Sequence, residues 1–320
     1  MSFRVVYNSV MEIANLWTSA GNEIKGIRIA RRDDARAITN LLRRASYAHL
    51  HADWHYPVDW LGSPGFVVAG ADLADKEDRS LTSHLFGSQL ELQACLAVAP
   101  DPPPAAWVRV AAAVDSERSP QILSAMFAAI VDSLREESVT RLGWLLVETW
   151  PEEWIRGLGF DQENFVETFI KKDSDLPEVK TVPRLLIRPV QDADLSLLER
   201  IEAEAFEPLW RHSVTSLRLA RRQALSFDVA ELDGKVVGYQ FSTPVDSGVH
   251  LARMTVDPAF QGGGIGTLLL AHACDNYRRQ GFKRISLNTQ ADNLASRSLY
   301  QRFGFRPSGQ RFPVWVVELS

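Results

Sequence analysis

Cysteine is scarce in this sequence: 320 residues hold two, Cys95 and Cys274. Each lies in an apolar stretch, and neither belongs to a C-x-x-C pair or to a Cys/His spacing suited to zinc. A disulfide framework and a structural zinc site are therefore excluded, and both cysteines read as small buried hydrophobes in a reducing compartment. No run approaches the ~18 apolar residues of a membrane span. The opening segment Met1 to Ile24 has no basic start followed by an unbroken apolar stretch, so it does not read as a secretory signal. A soluble, cytoplasmic protein is expected. There is no basic block either, and the formal net charge is -5. Nucleic acid and anionic membranes drop out as main partners. No G-x-S-x-G elbow is present, which removes the common serine-hydrolase pattern.

What is present is a globular composition, 46% hydrophobic and 23% charged, at a length that suits two domains of about 150 residues. The clearest break is Lys171 to Pro183, polar, charged and with two prolines. The two sides of it match in order. Ile27-Arg28 followed by Asp34 recurs as Ile187-Arg188 followed by Asp194. Phe66 to Ala69 recurs as Phe227 to Ala230, the strand ending at Asp115 as the one ending at Asp257, and Leu158-Gly159-Phe160 as Phe303-Gly304-Phe305. The spacing falls once along this series, which places extra residues of the first half around Ala71 to Gly87. Four ordered matches imply a duplicated domain: residues 1–175, a linker at 176–183, and residues 184–320.

In the second half the pattern predicts a mixed α/β (α+β) sheet fold. A strand begins at Leu185 and a helix spans Asp192 to Phe206, with Leu195, Leu198, Ile201 and Ala205 on one face. Phe227 to Glu231 and Lys235 to Ser242 form a hairpin across Asp233-Gly234. Val249 to Val256 is a strand and Thr267 to Gln280 a helix stopped by Gly281. Arg284 to Thr289, Leu294 to Phe303 and Pro313 to Leu319 read as strand, helix and strand.

The segment Val256-Asp257-Pro258-Ala259-Phe260-Gln261-Gly262-Gly263-Gly264-Ile265-Gly266-Thr267 carries the chemistry. A strand, a glycine-rich turn and a helix in that order gather backbone amides at the positive end of the helix dipole, a geometry that suits a pyrophosphate. A Walker loop needs a lysine after Gly266, and a dinucleotide fingerprint needs a glycine where Thr267 or Leu269 stands. What remains, Q-x-x-G-x-G after V-x-P, resembles the acetyl-CoA pyrophosphate loop of the GNAT superfamily. The block Asn293, Ala295, Tyr300, Phe303-Gly304-Phe305 is similar to that family's last motif, N-x-x-A-x-x-x-Y-x-x-x-G-F. The resemblance covers about Leu186 to Leu319.

The resemblance implies two tandem GNAT folds and an acetyl-CoA-dependent N-acetyltransferase with a primary amine as acceptor. The cofactor contacts it implies are backbone groups of Met254 and Val256 for the pantetheine arm, and Gln261, Gly262, Gly263, Gly264, Gly266 and Thr267 for the pyrophosphate. Asn293 is either a helix cap alone or a cap that also touches the cofactor arm. Tyr300 is the implied acid that protonates the departing thiolate. Family members often carry a glutamate on the strand before the loop, and here His250 stands in that place as a candidate base. Others use a glutamate where this chain has Asn288, which cannot take a proton. The segment Phe206 to His212, with Trp210 and His212, falls where the family shapes its acceptor pocket.

The first half has Glu117-Arg118-Ser119-Pro120-Gln121 in place of the glycine loop and Ile155 in place of Tyr300, so it reads as a degenerate copy. The layout is similar to that of mycothiol synthase, a tandem protein whose C-terminal domain does the transfer. No metal is expected, although His49, His51, Asp53 and His55 share the spacing of some divalent-metal sites. That run is expected at the end of the first helix. A monomer or homodimer is expected. A non-catalytic acyl-CoA sensor that kept only the binding loop is the alternative.

Overall fold

The structure is a computed structural model and describes residues 26–70, 91–114, 118–173, 175–246 and 248–319. The opening segment, the stretch Ala71 to Gly87 and Glu117 lie outside the described residues. The chain divides into two compact units. The first takes Met1–Ala52, Tyr56–Glu163 and Trp315–Ser320, and the second takes Asp53–His55 and Asn164–Val314. No helix among the described residues is long and apolar enough to cross a membrane.

The first unit contains β1 (Ile27–Ile29), α1 (Ala35–Arg44), β2 (Tyr47–Leu50), β3 (Phe66–Gly70), β4 (Leu92–Pro100), β5 (Ala105–Ala113), α2 (Ser119–Glu136), β6 (Arg141–Leu145) and α3 (Glu152–Gly157). Its sheet runs β1-β3-β4-β5-β6, and β2 pairs separately with β5. The core packs α2, through Leu123, Met126, Phe127 and Ile130, onto Leu96, Val98 and Val108 of the sheet.

The second unit contains most of β7 (Asp161–Lys171), then β8 (Leu185–Pro189), α4 (Leu195–Ala205), α5 (Val214–Gln223), β9 (Ser226–Leu232), β10 (Lys235–Val245), β11 (Gly248–Val256), α6 (Ile265–Arg279), β12 (Ile285–Gln290), α7 (Leu294–Arg302) and the larger part of β13 (Arg306–Glu318). Its sheet runs β7-β12-β11-β10-β9-β8.

The Arg–Asp and Gly–Phe landmarks take the same conformation in both units. Arg28 grips Asp34 with two bonds of 2.7 Å, and Asp34 also accepts from the Arg31 amide. Arg188 grips Asp194 at 2.8 and 3.0 Å, and Asp194 accepts from the Gln191 amide. The motif fastens the first strand to the start of the first helix. Gly159 and Gly304 both hold φ 83°. Each ends a helix by letting the following phenylalanine amide reach back five residues, Phe160 to the Ile155 carbonyl and Phe305 to that of Tyr300.

Some local expectations shift. A 3-10 turn occupies Asp192–Asp194 and the α-helix begins at Leu195, because Asp194 accepts the Gln191 amide and turns the chain one residue more tightly. The break at Lys171 starts one residue later, since Lys171 closes β7 with its ammonium buried against Asp173 and the Asp175 carbonyl. The hairpin turn is as read: Asp233 and Gly234 hold φ 52° and 78°, the type I′ pattern. The histidine run does not end a helix. α1 stops at Arg44 and His49 lies in β2.

Candidate functional site

The site begins as a fork between two strands of the second unit. β11 and β12 pair in parallel for only three residues, Val249 to Leu251 against Ile285 to Leu287. Beyond that point β12 stays with β7 through Gln290, while β11 follows β10 past a bulge at Phe241/Ser242 that leaves Ala252 without a register partner. A bulge adds a residue to one strand and bends it, so the two strands part. The Asp257 amide donates to the Val237 carbonyl. Strand alternation then turns the backbone groups of Thr255 and Arg253 toward β10, and those of Met254 and Val256 toward the open edge.

The fork widens into a cavity of about 680 Å³. Met254, Val256, Gln261, Gly262, Gly264, Gly266, Thr267, Asn293 and Tyr300 all line it, together with Asn288, Ser296 and Arg302. Gly263 and His250 are not among the lining residues. At the cavity's glycine-loop end, Gly262 and Gly264 hold φ 77° and 88°, where a side chain is strained. Gly264 is the N-cap of α6, so the first-turn amides of that helix, which have no intrahelical acceptor, face the loop. Gln261 donates from its side chain to the Val256 carbonyl at 3.0 Å, tying the loop to the strand end. Asn293 caps α7 by accepting from the Ser296 amide at 3.1 Å.

Tyr300 stands two turns into α7, with its ring in the core beside Phe305 and 6% exposed. Burial pushes its hydroxyl up to about 12, against smaller opposing effects of the Ser296 hydroxyl and the Arg253 charge. His250 is held through Nδ1 to the Ser286 hydroxyl at 3.0 Å, and burial, with the Arg284 charge, lowers its pKa to about 4.

Three residues of the site escaped the sequence. Arg302 lines the cavity beside the loop and donates to the Thr267 hydroxyl at 2.7 Å. Arg253, on β11, is clamped to Glu202, which has no exposed surface and also accepts from Tyr239 at 2.6 Å and Thr255 at 3.1 Å. Glu202 follows Leu198 by four residues and so falls on the buried face of α4; a carboxylate there was the available signal. Of the segment Phe206 to His212, Phe206 lines the cavity. Trp210 and His212 do not, and the His212 ring packs on Trp54, 4.4 Å between centroids.

The first unit has the same fork with a different occupant. β5 and β6 pair for three residues, Ala105 to Trp107 against Arg141 to Gly143. Past that, β2 pairs with β5 from Val110 to Ala113, along the edge that stays open in β11. Trp150 stacks on Tyr47 at 5.1 Å and donates to the Ala48 carbonyl, closing over the inserted strand. The histidine run is shared between these environments. His49 is buried in β2, whereas Asp53 and His55 pair with each other and His55 meets the Ser216 hydroxyl at 3.3 Å. Among the described residues no three His, Cys, Asp or Glu side chains are placed to hold a metal ion.

The sequence profile of the Acetyltransferase (GNAT) family matches residues 195–305. The chain is 33% identical over 124 residues to an uncharacterized N-acetyltransferase of Methanocaldococcus jannaschii, spanning 38% of this chain and 78% of that protein. It is 25% identical over 125 residues to a putative [ribosomal protein bS18]-alanine N-acetyltransferase of Bacillus subtilis, spanning 39% of this chain and 83% of that protein. A solved tandem GNAT protein from the clavulanic acid biosynthesis pathway superposes with a TM-score of 0.57 at 16% identity, over 92% of this chain and 99% of that one. The paired-unit fold, the loop geometry and these relatives together place the chain in the GNAT acetyltransferase family, with the tandem layout of its two-copy members.

Proposed function

We propose that the second unit is an acetyl-CoA-dependent N-acetyltransferase that passes the acetyl group directly to a primary amine. The observation that carries this reading is one cavity holding the open edge of β11, the Gly262 to Gly264 turn and the Tyr300 side chain. Acetyl-CoA is a substrate, and the residues present fit it. Positive-φ glycines and the first-turn amides of α6 would cradle the pyrophosphate, and Met254 and Val256 would pair with the pantetheine amides as a further strand would.

The β11 bulge turns backbone groups into the fork, where they steady negative charge building on the carbonyl oxygen. The attacking nitrogen forms the C–N bond as the C–S bond breaks, and Tyr300, protonated at every working pH, donates its proton to the sulfur. The proton lost by the amine goes to water, since His250 is held off the cavity and is a weak base. Within this reading residues 184–320 form the catalytic domain, residues 1–175 a degenerate copy, and 176–183 the linker.

Tyr300→Phe tests the assignment. Turnover should fall about 10²-fold while acetyl-CoA affinity stays within about threefold of wild type. The alternative is an acyl-CoA sensor, favoured by the lack of any Asp, Glu or His among the described lining residues. Binding of acetyl-CoA with no transfer to any amine is its signature.

A further inference from the structure

We propose that Glu202 is a positioning residue for the acyl donor: it holds the edge of β11 where the pantetheine arm would pair, while its own carboxylate stays out of the cavity. This rests on the acetyl-CoA-dependent reading above.

Past Leu251, β11 has parted from β12 and pairs with β10 alone among the described strands, on the far side of a bulge. A strand edge in that position is fixed by one row of backbone hydrogen bonds, and Met254 and Val256 lie on it. Glu202 supplies a second hold. It has no exposed surface and is not among the residues lining the cavity. Its Oε1 accepts from the Tyr239 hydroxyl at 2.6 Å, from the Thr255 hydroxyl at 3.1 Å and from Arg253 Nε at 3.1 Å. Its Oε2 accepts from Arg253 Nη2. Arg253 and Thr255 flank Met254, so a single carboxylate grips β11 on both sides of that residue. Tyr239 stands opposite Thr255 on β10 and is a hydrogen-bond partner of Arg253 as well. Burial, together with the Glu202 charge, holds the Tyr239 hydroxyl well above its ordinary pKa, which keeps it a donor. Arg253 carries the hold further. Its Nη2 also donates to the Trp210 carbonyl at 2.7 Å, and its guanidinium lies over the Phe206 ring at 3.6 Å. Two strands, α4 and the segment after α4 are thus locked to one buried group.

A carboxylate is a costly group to bury, and apolar side chains of similar volume often give equal or greater stability in its place. What the carboxylate adds is geometry, because its directional bonds are satisfied together in one arrangement of β10, β11 and α4. The pantetheine amides need that arrangement, since a shift of about 1 Å carries an N–H···O bond out of range. The glycine loop does not need it. Its conformation is set by the φ angles of Gly262 and Gly264 and by the start of α6. Glu202 therefore acts on one part of the donor, the arm, and leaves the pyrophosphate alone.

The test separates the two parts in the full chain. Acetyl-CoA affinity is measured by calorimetry. Adenosine 3′-phosphate 5′-diphosphate, which has the pyrophosphate but no arm, is measured by its displacement of acetyl-CoA. Glu202→Asp keeps the charge and the ion pair but is one methylene too short to reach every donor. It should weaken acetyl-CoA about tenfold, while the nucleotide stays within about twofold of wild type. Glu202→Gln keeps the length, turns an amide against Arg253 Nη2, and should act in the same direction. Tyr239→Phe removes one donor and leaves the ion pair; it should weaken acetyl-CoA about threefold, and it carries the test if neither Glu202 variant folds. A lowered unfolding midpoint with both affinities unchanged in the folded protein is the mark of a merely structural role and overturns the proposal. Equal weakening of both ligands, or a nucleotide that fails to displace acetyl-CoA from wild type, overturns it too. A wild-type chain that binds no acetyl-CoA is a separate outcome, and it overturns the acetyltransferase reading itself.

Discussion

Among the described residues, His49 in the first unit and His250 in the second carry pKa values lowered to about 4, and in both burial is the main cause. A buried neutral imidazole stabilises the fold only while the unfolded chain is neutral too. Between about pH 6.5 and 4 the unfolded state binds a proton that the folded state does not, so stability is full above the unfolded value and falls as pH drops through this window. Each group is worth up to about 3 kcal/mol across the whole window and about 2 kcal/mol at pH 5. Urea unfolding at pH 7 and pH 5 should show the loss. His49→Phe, packed against Trp144 as the imidazole is at 5.3 Å, should recover about half of it, and the remainder belongs to His250. Equal pH sensitivity in wild type and variant would mean that His49 is not a buried neutral group. At this scale the sequence was readable where a residue type has a local use, as with Asn293, which caps the helix it precedes. Arg253 and Glu202 were not readable, because a charge in the middle of an apolar strand or helix face has meaning only once its partner, about fifty residues away, is known.

Elements decide which copy keeps an open fork. After its first helix the second unit forms α5, whose Leu217 and Ala220 pack into a core with Leu198 and Phe241. After its first helix the first unit forms β2, four residues that pair with β5 along Val110 to Ala113. Alanines at 111 to 113 let a second strand lie close, and Trp150 covers it. The glycine loop was legible as a sequence feature because Gly262 and Gly264 need backbone angles that other residues resist. The occupation of the first fork was not, since a four-residue strand such as Tyr47–Leu50 declares itself only when an edge is available to pair with. Gly264→Val should abolish acetyl-CoA binding by calorimetry while the apoprotein stays folded, its unfolding midpoint lowered by the few degrees that a strained φ costs. At φ 88° a β-branched side chain distorts the turn. A Cβ at this position would stand 3.7 Å from a Val182 methyl, an ordinary contact, so the backbone angle rather than crowding carries the effect. Near-normal binding in that variant would mean the pyrophosphate lies elsewhere.

The whole chain is a duplication in which one fork is open and the other is filled by its own strand. One acetyl-CoA per chain is therefore expected by calorimetry, and two would show that β2 gives way to a ligand. The duplication was settled by sequence alone. The Arg–Asp pairs, the Phe-Gly-Phe and Leu-Gly-Phe helix ends and the matched strands are local patterns, each enforced by hydrogen bonds within a few residues or by a backbone angle that glycine supplies. Family and the conformation of the glycine loop came from the same kind of short-range constraint. What only the tertiary structure decided is what faces each fork: β2 on one, Arg253 clamped by Glu202 in the other, and His250 turned to Ser286. Those depend on contacts between segments far apart in the chain, whose free energy comes from burial and pairing that no local window contains.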